Sequence, residues 1–187
     1  KVDKYLNIVD ECRDDIERNR AFENILGYAS EGRLSKGGML KGCIKKLDNL
    51  YVLMSGNYLS NYDNFLDKPM TKLIDWAYRY FELTILVTNN SIKDIYTISA
   101  LRNSDYNIIP INADLITIQE YISHVKYLDI KYMIPVENQK FIAYEYKNKV
   151  SLSERVLKEH LSKECYMGKV SYSPERERYR NLNMPYA

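Results

Sequence analysis

The chain has 187 residues, 45% apolar and 28% charged, with a net charge of +2. That length and composition exclude a disordered chain and support a hydrophobic core, and the charge is too small to mark a nucleic-acid or membrane surface by itself. Cys12, Cys43 and Cys165 are far apart with no C-x-x-C, which argues against zinc or a disulfide framework, and no apolar run approaches a membrane span.

The first predicted element is ambiguous. "YLNIVDE" (5–11) reads as a strand ending in acids, or as the start of one long helix through "CRDDIERNRAFENIL". Val2, Tyr5, Val9, Cys12 and Ile16 have helical spacing, so both readings stand. "SKGGMLKGC" (35–43) reads as a Gly-containing turn leading into a short basic helix, with "IKKLDN" adding about two helical turns. "NLYVLMSG" (49–56) is a strand ending at a Gly turn. "KPMTKLIDWAYRYF" (68–81) carries Met70, Leu73, Ile74, Ala77 and Tyr80 at helical spacing.

"ELTILVTNN" (82–90) is a nearly continuous apolar run closed by polar turn residues, the pattern of a buried parallel strand. "SIKDIYTISALRN" (91–103) is a helix that opens on Ser and places Ile92, Ile95, Ile98 and Leu101 on one face. "YNIIPIN" (106–112) is a strand in which Pro110 marks an end or a sheet edge. A helix over 114–128 follows, with Asp114 as its N-cap. "QKFIAYEY" (139–146) is a strand, "SLSERVLKEHL" (151–161) a helix, and "CYMGKVSYSPE" (165–175) a last strand and turn before a short polar helix. Strands alternating with helices of this length predict βαβ units in a three-layer α/β domain with a mostly parallel sheet. No repeat or low-complexity linker divides the chain, so a single domain over 1–187 is expected.

Four of these segments resemble one family. "DNLYVLMSGN" is similar to the "nLyvLpaG" segment of MinD/ParA/CpaE-type ATPases and their bacterial tyrosine-kinase relatives, and "LIDWAYRYFELTILVTNN" to their "l...r..yD.viiDtPP". "SDYNIIPINADLITIQEYISHVKYL" resembles "aD.vlvV..p...sl.d.......l", and "ECYMGKVSYSPERERYRNLNMPYA" resembles "..lG.IPyDp.ireA...g.p.a". They follow the family's order and cover residues 48 to 187. The resemblance implies a P-loop NTPase fold that binds ATP and Mg²⁺ at the carboxyl ends of its strands. It also implies a homodimer with a protein partner, in a cytoplasmic protein that a membrane-associated assembly recruits.

The family's phosphate loop, K-G-G-x-G-K-T-T, is matched in part by Lys36, Gly37, Gly38 and Lys41. Its mechanism needs a buried strand before the loop and a long helix after it, so that backbone N–H groups cradle phosphate and Ser/Thr holds Mg²⁺. Here the polar "SEGR" precedes it and Gly42 stands at the Ser/Thr position. The similarity is read as coincidence, and a true phosphate loop is expected upstream of Lys1 or not at all.

The remaining family positions diverge. If "YLNIVDE" is the family's second strand, Asp10 falls where a carboxylate orients water; the other reading is a solvated acid. Val87 occupies the place of the Walker B aspartate, with Thr88 after it, so the resemblance implies weak or lost hydrolysis. Thr88 is either a donor to phosphate or water, or a plain strand-end hydroxyl. Glu145 stands where the family often has Asn, and it accepts from an adenine amino group but cannot donate to the ring. Tyr172, Ser173 and Pro174 occupy the turn that contacts the base, which equally reads as ordinary turn chemistry.

Arg176, Arg178 and Arg180 are where ParA proteins bind DNA weakly and without sequence preference, although Glu175 and Glu177 dilute the patch. His124 and His160 have no catalytic companion at a telling spacing. The sequence leaves three readings: a nucleotide-dependent positioning protein, a non-hydrolysing scaffold of the same fold, and a Rossmann-like enzyme on a small molecule.

Overall fold

The computed structural model describes residues 15–54, 67–89, 91, 94–161 and 164–181. They fall into two compact units, 1–103 with 178–187 and 104–177.

Three short runs in the second unit become a sheet because each alternates. β3 (Asn107–Ile111) buries Asn107, Ile109 and Ile111 and exposes Ile108 and Pro110 between them. β4 (Gln139–Tyr146) and β5 (Tyr166–Ser171) complete a sheet of order β3-β4-β5. Both ladders are parallel, Asn107 to Ile111 pairing in unbroken register with Gln139 to Ala143. Parallel neighbours need a crossover, and α5 (Leu115–Tyr132) and α6 (Glu154–Leu161) supply it. Both pack on the buried face: Ile118 and Val125 of α5 and Leu157 and Leu161 of α6 join Ile109, Ile111, Phe141 and Ala143 in one core. Among the described residues β3 lies at the edge of this sheet, the position Pro110 predicts. This is an α/β fold with a parallel three-stranded sheet flanked by helices.

The β4–β5 ladder bulges between Phe141 and Ile142, where Gly168 rather than Met167 faces Ile142. Gly168 has φ +143°, a conformation that L side chains rarely adopt.

The first unit is built from helices and a hairpin. α1 (Asp15–Ser30) sets Phe22, Ile25, Leu26 and Ala29 on one stripe, which closes over Met39 and Leu73. α2 (Lys36–Gly42) starts where the Ser35 hydroxyl accepts the Gly38 N–H at 3.0 Å. The glycines expected to turn the chain therefore lie inside a helix of about two turns. Gly42 has a packing reason: a Cβ there would come within 2.4 Å of Ile25 Cδ1. The helical turns expected for "IKKLDN" are not formed. β1 (Ile44–Leu47) instead pairs antiparallel with β2 (Leu50–Val52) across Asp48-Asn49. Four residues without an apolar stripe are too few to hold a helix, and Asp-Asn is a favoured turn pair.

α3 (Asp67–Tyr80) matches its predicted span closely, burying Leu73, Ile74 and Ala77. Trp76 stacks on Tyr80 with ring centroids 4.3 Å apart, and its indole N–H donates to the Leu34 carbonyl at 3.0 Å. α4 (Ile95–Asn103) begins later than Ser91 predicted. Its cap is the buried Asp94, whose carboxylate accepts from the Tyr96 N–H at 3.0 Å. The last element, α7 (Pro174–Asn181), is the short polar helix expected after the final strand.

The buried parallel strand expected at 82–90 is not present: residues 82–89 have no regular secondary structure and join no ladder among the described residues. Leu83, Ile85 and Val87 are 77%, 75% and 66% exposed. Apolar β-branched composition favours extended backbone, but a strand also needs a partner for its N–H and C=O groups.

Candidate functional site

Parallel strands point their carboxyl ends to one side, and the loops leaving them border a crevice where ligands of open α/β sheets bind. In the second unit that crevice is an open cleft of about 330 Å³ at the ends of β3 and β4. Asn112, Ala113 and Asp114 come from the loop after β3, Tyr144, Glu145 and Lys147 from the end of β4, and Val150 and Ser151 from the turn beyond.

Each wall is fixed by local hydrogen bonds. Asp114 caps α5, its carboxylate accepting from the Thr117 N–H at 2.8 Å and the Thr117 hydroxyl at 2.7 Å. These two bonds hold its carboxyl below the usual range, so it is ionised at neutral pH. The Leu152 N–H donates to the Ala113 carbonyl at 2.9 Å, tying the second loop to the first. The turn at 147–151 closes on itself: the Lys147 N–H donates to the Ser151 hydroxyl at 3.0 Å, and the Ser151 N–H to the Lys147 carbonyl at 2.9 Å.

Two residues here take left-handed backbone conformations without being glycine, Glu145 at φ 52° and Lys149 at φ 69°. Each such conformation costs about 1–2 kcal/mol, and such residues cluster at functional sites. At Glu145 it turns the strand end so that Tyr144 and Glu145, successive residues of β4, both line the cleft.

The loop after β5 adds a rim. The Tyr172 N–H donates to the Tyr146 carbonyl at 2.9 Å, and the Lys147 ammonium sits 4.6 Å from the Tyr172 ring centroid. The Tyr172 hydroxyl donates to Glu177 at 2.8 Å. Ser173 caps α7, its hydroxyl accepting from the Arg176 N–H at 3.2 Å, and Pro174 is the first helical residue, where a missing N–H is harmless. Arg176 donates to the Ser171 carbonyl and lies 5.4 Å from the Tyr144 ring centroid. Beside the rim, Lys169 bonds Glu154 at 2.7 Å, which lowers the carboxyl and raises the amine.

Of the predicted site residues, Glu145 lines the cleft, Tyr172 packs against the cleft-lining Lys147, and Ser173 and Pro174 follow as the start of α7. Asp10 lies outside the described residues. Thr88 sits exposed on the extended segment of the first unit, beside Asn89, whose side chain bonds Asp94 at 2.6 Å and accepts from Thr97 at 3.1 Å. His160 is exposed and His124 packs 6.0 Å from Tyr121; neither lines the cleft. Asn112, Lys147 and Ser151 were missed, although polar residues just past a parallel strand are what the crevice rule marks.

The cleft offers carboxylate acceptors beside amide, hydroxyl and ammonium donors. A Mg²⁺-phosphate does not find a fit among the described residues. Gly42 has no hydroxyl at the position where a phosphate loop holds Mg²⁺, and no group of three His, Cys, Asp or Glu side chains occurs among the described residues.

Neither a family model nor a curated protein matches this chain. Its structure is similar to the crystal structure of a protein assigned to plasmid partition from Borrelia burgdorferi B31, bound to AMPPNP. The TM-score is 0.60 at 19% identity, over 86% of this chain. This chain spans 65% of the length of that one. A likeness at this identity establishes the fold, that of the partition protein.

Proposed function

We propose that the chain is a ParA-like nucleotide-dependent positioning or assembly protein, with a purine nucleotide seated base-first in the cleft after β4. The carrying observation is the cleft itself, at the carboxyl ends of parallel strands and rimmed by the loop after β5. The fold shared with the partition protein supports the reading, as does that protein's bound AMPPNP. Of this chain's residues, Glu145 and Lys147 orient the base, and Tyr172 positions Lys147. Hydrolysis is weak or lost, because Val87 has no carboxylate to help hold Mg²⁺. Homodimerisation, a protein partner and weak DNA contact through Arg176, Arg178 and Arg180 belong to the same reading.

Calorimetric titration of the protein with its natural N-terminus with Mg·ATP and Mg·GTP tests it. Binding with little or no turnover is expected. No binding of either nucleotide would sink the nucleotide reading. A second reading, a scaffold that binds no nucleotide, is favoured by Val87 and by the misplaced "SKGGMLKG" and would then stand.

A further inference from the structure

The end of β4 and the loop after β5 exchange cations and rings. Lys147, just past β4, sets its ammonium 4.6 Å from the Tyr172 ring centroid in the loop. In return Arg176 of α7 sets its guanidinium carbon 5.4 Å from the Tyr144 ring centroid in β4. Tyr144 and Lys147 both line the cleft, whereas Tyr172 and Arg176 do not. Each lining residue is thus held by a side chain that stands outside the cleft.

Arg176 is itself firmly placed. Its backbone N–H donates to the Ser173 hydroxyl at 3.2 Å, and its guanidinium donates to the Ser171 carbonyl. The next residue, Glu177, accepts from the Tyr172 hydroxyl at 2.8 Å, which ties the two cation–ring pairs together. A guanidinium anchored to a carbonyl in this way gives up little further side-chain freedom when it rests over a ring.

From this we infer that Arg176 is a positioning residue of the cleft, acting through the Tyr144 ring as Tyr172 acts through Lys147. The inference rests on the reading of the cleft as a nucleotide site and adds a residue of α7 to it. Arg176 touches no ligand; it fixes the part of the wall that Tyr144 contributes.

The test is a double-mutant cycle on Mg·ATP affinity, measured by calorimetry on the protein with its natural N-terminus. Arg176→Ala is expected to weaken binding about two- to fivefold, the range of one cation–ring contact at an exposed site. In a Tyr144→Ala background the same change should have no further effect, because the ring through which Arg176 acts is gone. In a Tyr144→Phe background it should cost as much as in the wild type, since the ring remains. Arg176→Lys keeps a cation near the ring and should recover most of the loss, which a role in folding alone would not predict. Unchanged affinity in Arg176→Ala, or an equal loss with and without the Tyr144 ring, would overturn the inference while leaving a nucleotide site in place. Absence of binding by the wild type would overturn the nucleotide reading and the inference with it.

Discussion

At the scale of single residues, the strained backbone at Glu145 separates function from stability. A residue held at φ 52° gains by becoming glycine, which adopts that conformation freely but loses more chain entropy on folding. Glu145→Gly is therefore expected to leave stability unchanged or raise it by about 0.5–1 kcal/mol, while weakening nucleotide binding. Thermal melts beside binding assays check this. Asp114 behaves in the opposite way. Its folded pKa lies below its unfolded value, so its cap stabilises fully at neutral pH and fades as pH falls through the folded pKa. Asp114→Ala should cost about 1 kcal/mol at pH 7, and the gap between variant and wild type should close below about pH 4. Denaturant melts across that range show it. Cys43 carries a third residue-scale consequence. Burial pushes its thiol up to about 11, so at pH 7.5 its peptide should be alkylated far more slowly than in the unfolded chain.

At the scale of elements, what was legible depended on whether the cause was local. β4 was readable to the residue because its alternation spans eight residues and its ends are turns. α3 and α5 were readable because their apolar spacing and the Asp114 cap are written in a few consecutive residues. "IKKLDN" was misread because its fate depends on pairing with Leu50–Val52 rather than on its own period. Residues 82–90 failed for a related reason: composition marks a β-former, but only a partner makes a strand. The amides of Leu83, Ile85 and Val87 are therefore expected to exchange with solvent rapidly, and those of Phe141 and Ala143 slowly, in hydrogen-exchange mass spectrometry. Slow exchange at 83–87 would show that the segment is paired in solution. The Gly168 bulge was equally hidden from the sequence. Gly168→Ala should cost about 1–3 kcal/mol, and the cost is conformational, since no atom lies within 4 Å of the added Cβ.

At the scale of the whole molecule, the α/β class and the position of the cleft follow from the order of strands and helices, which the sequence displays. The chemistry of the cleft follows from loops, which it does not display. Glu145 was reachable from its place at the end of a strand, as were Tyr172, Ser173 and Pro174 from the turn after the last strand. Ser151 was not, because a self-closing turn brings it to the cleft. The measurement that bears most directly on the nucleotide reading is a backbone-amide NMR titration of the protein with its natural N-terminus, using GDP and ADP. A site at the cleft predicts the largest shifts at Asn112 to Asp114, Glu145 to Ser151 and Tyr172 to Ser173, saturating with nucleotide concentration. Saturable shifts confined to residues elsewhere, or none with either nucleotide, would contradict it.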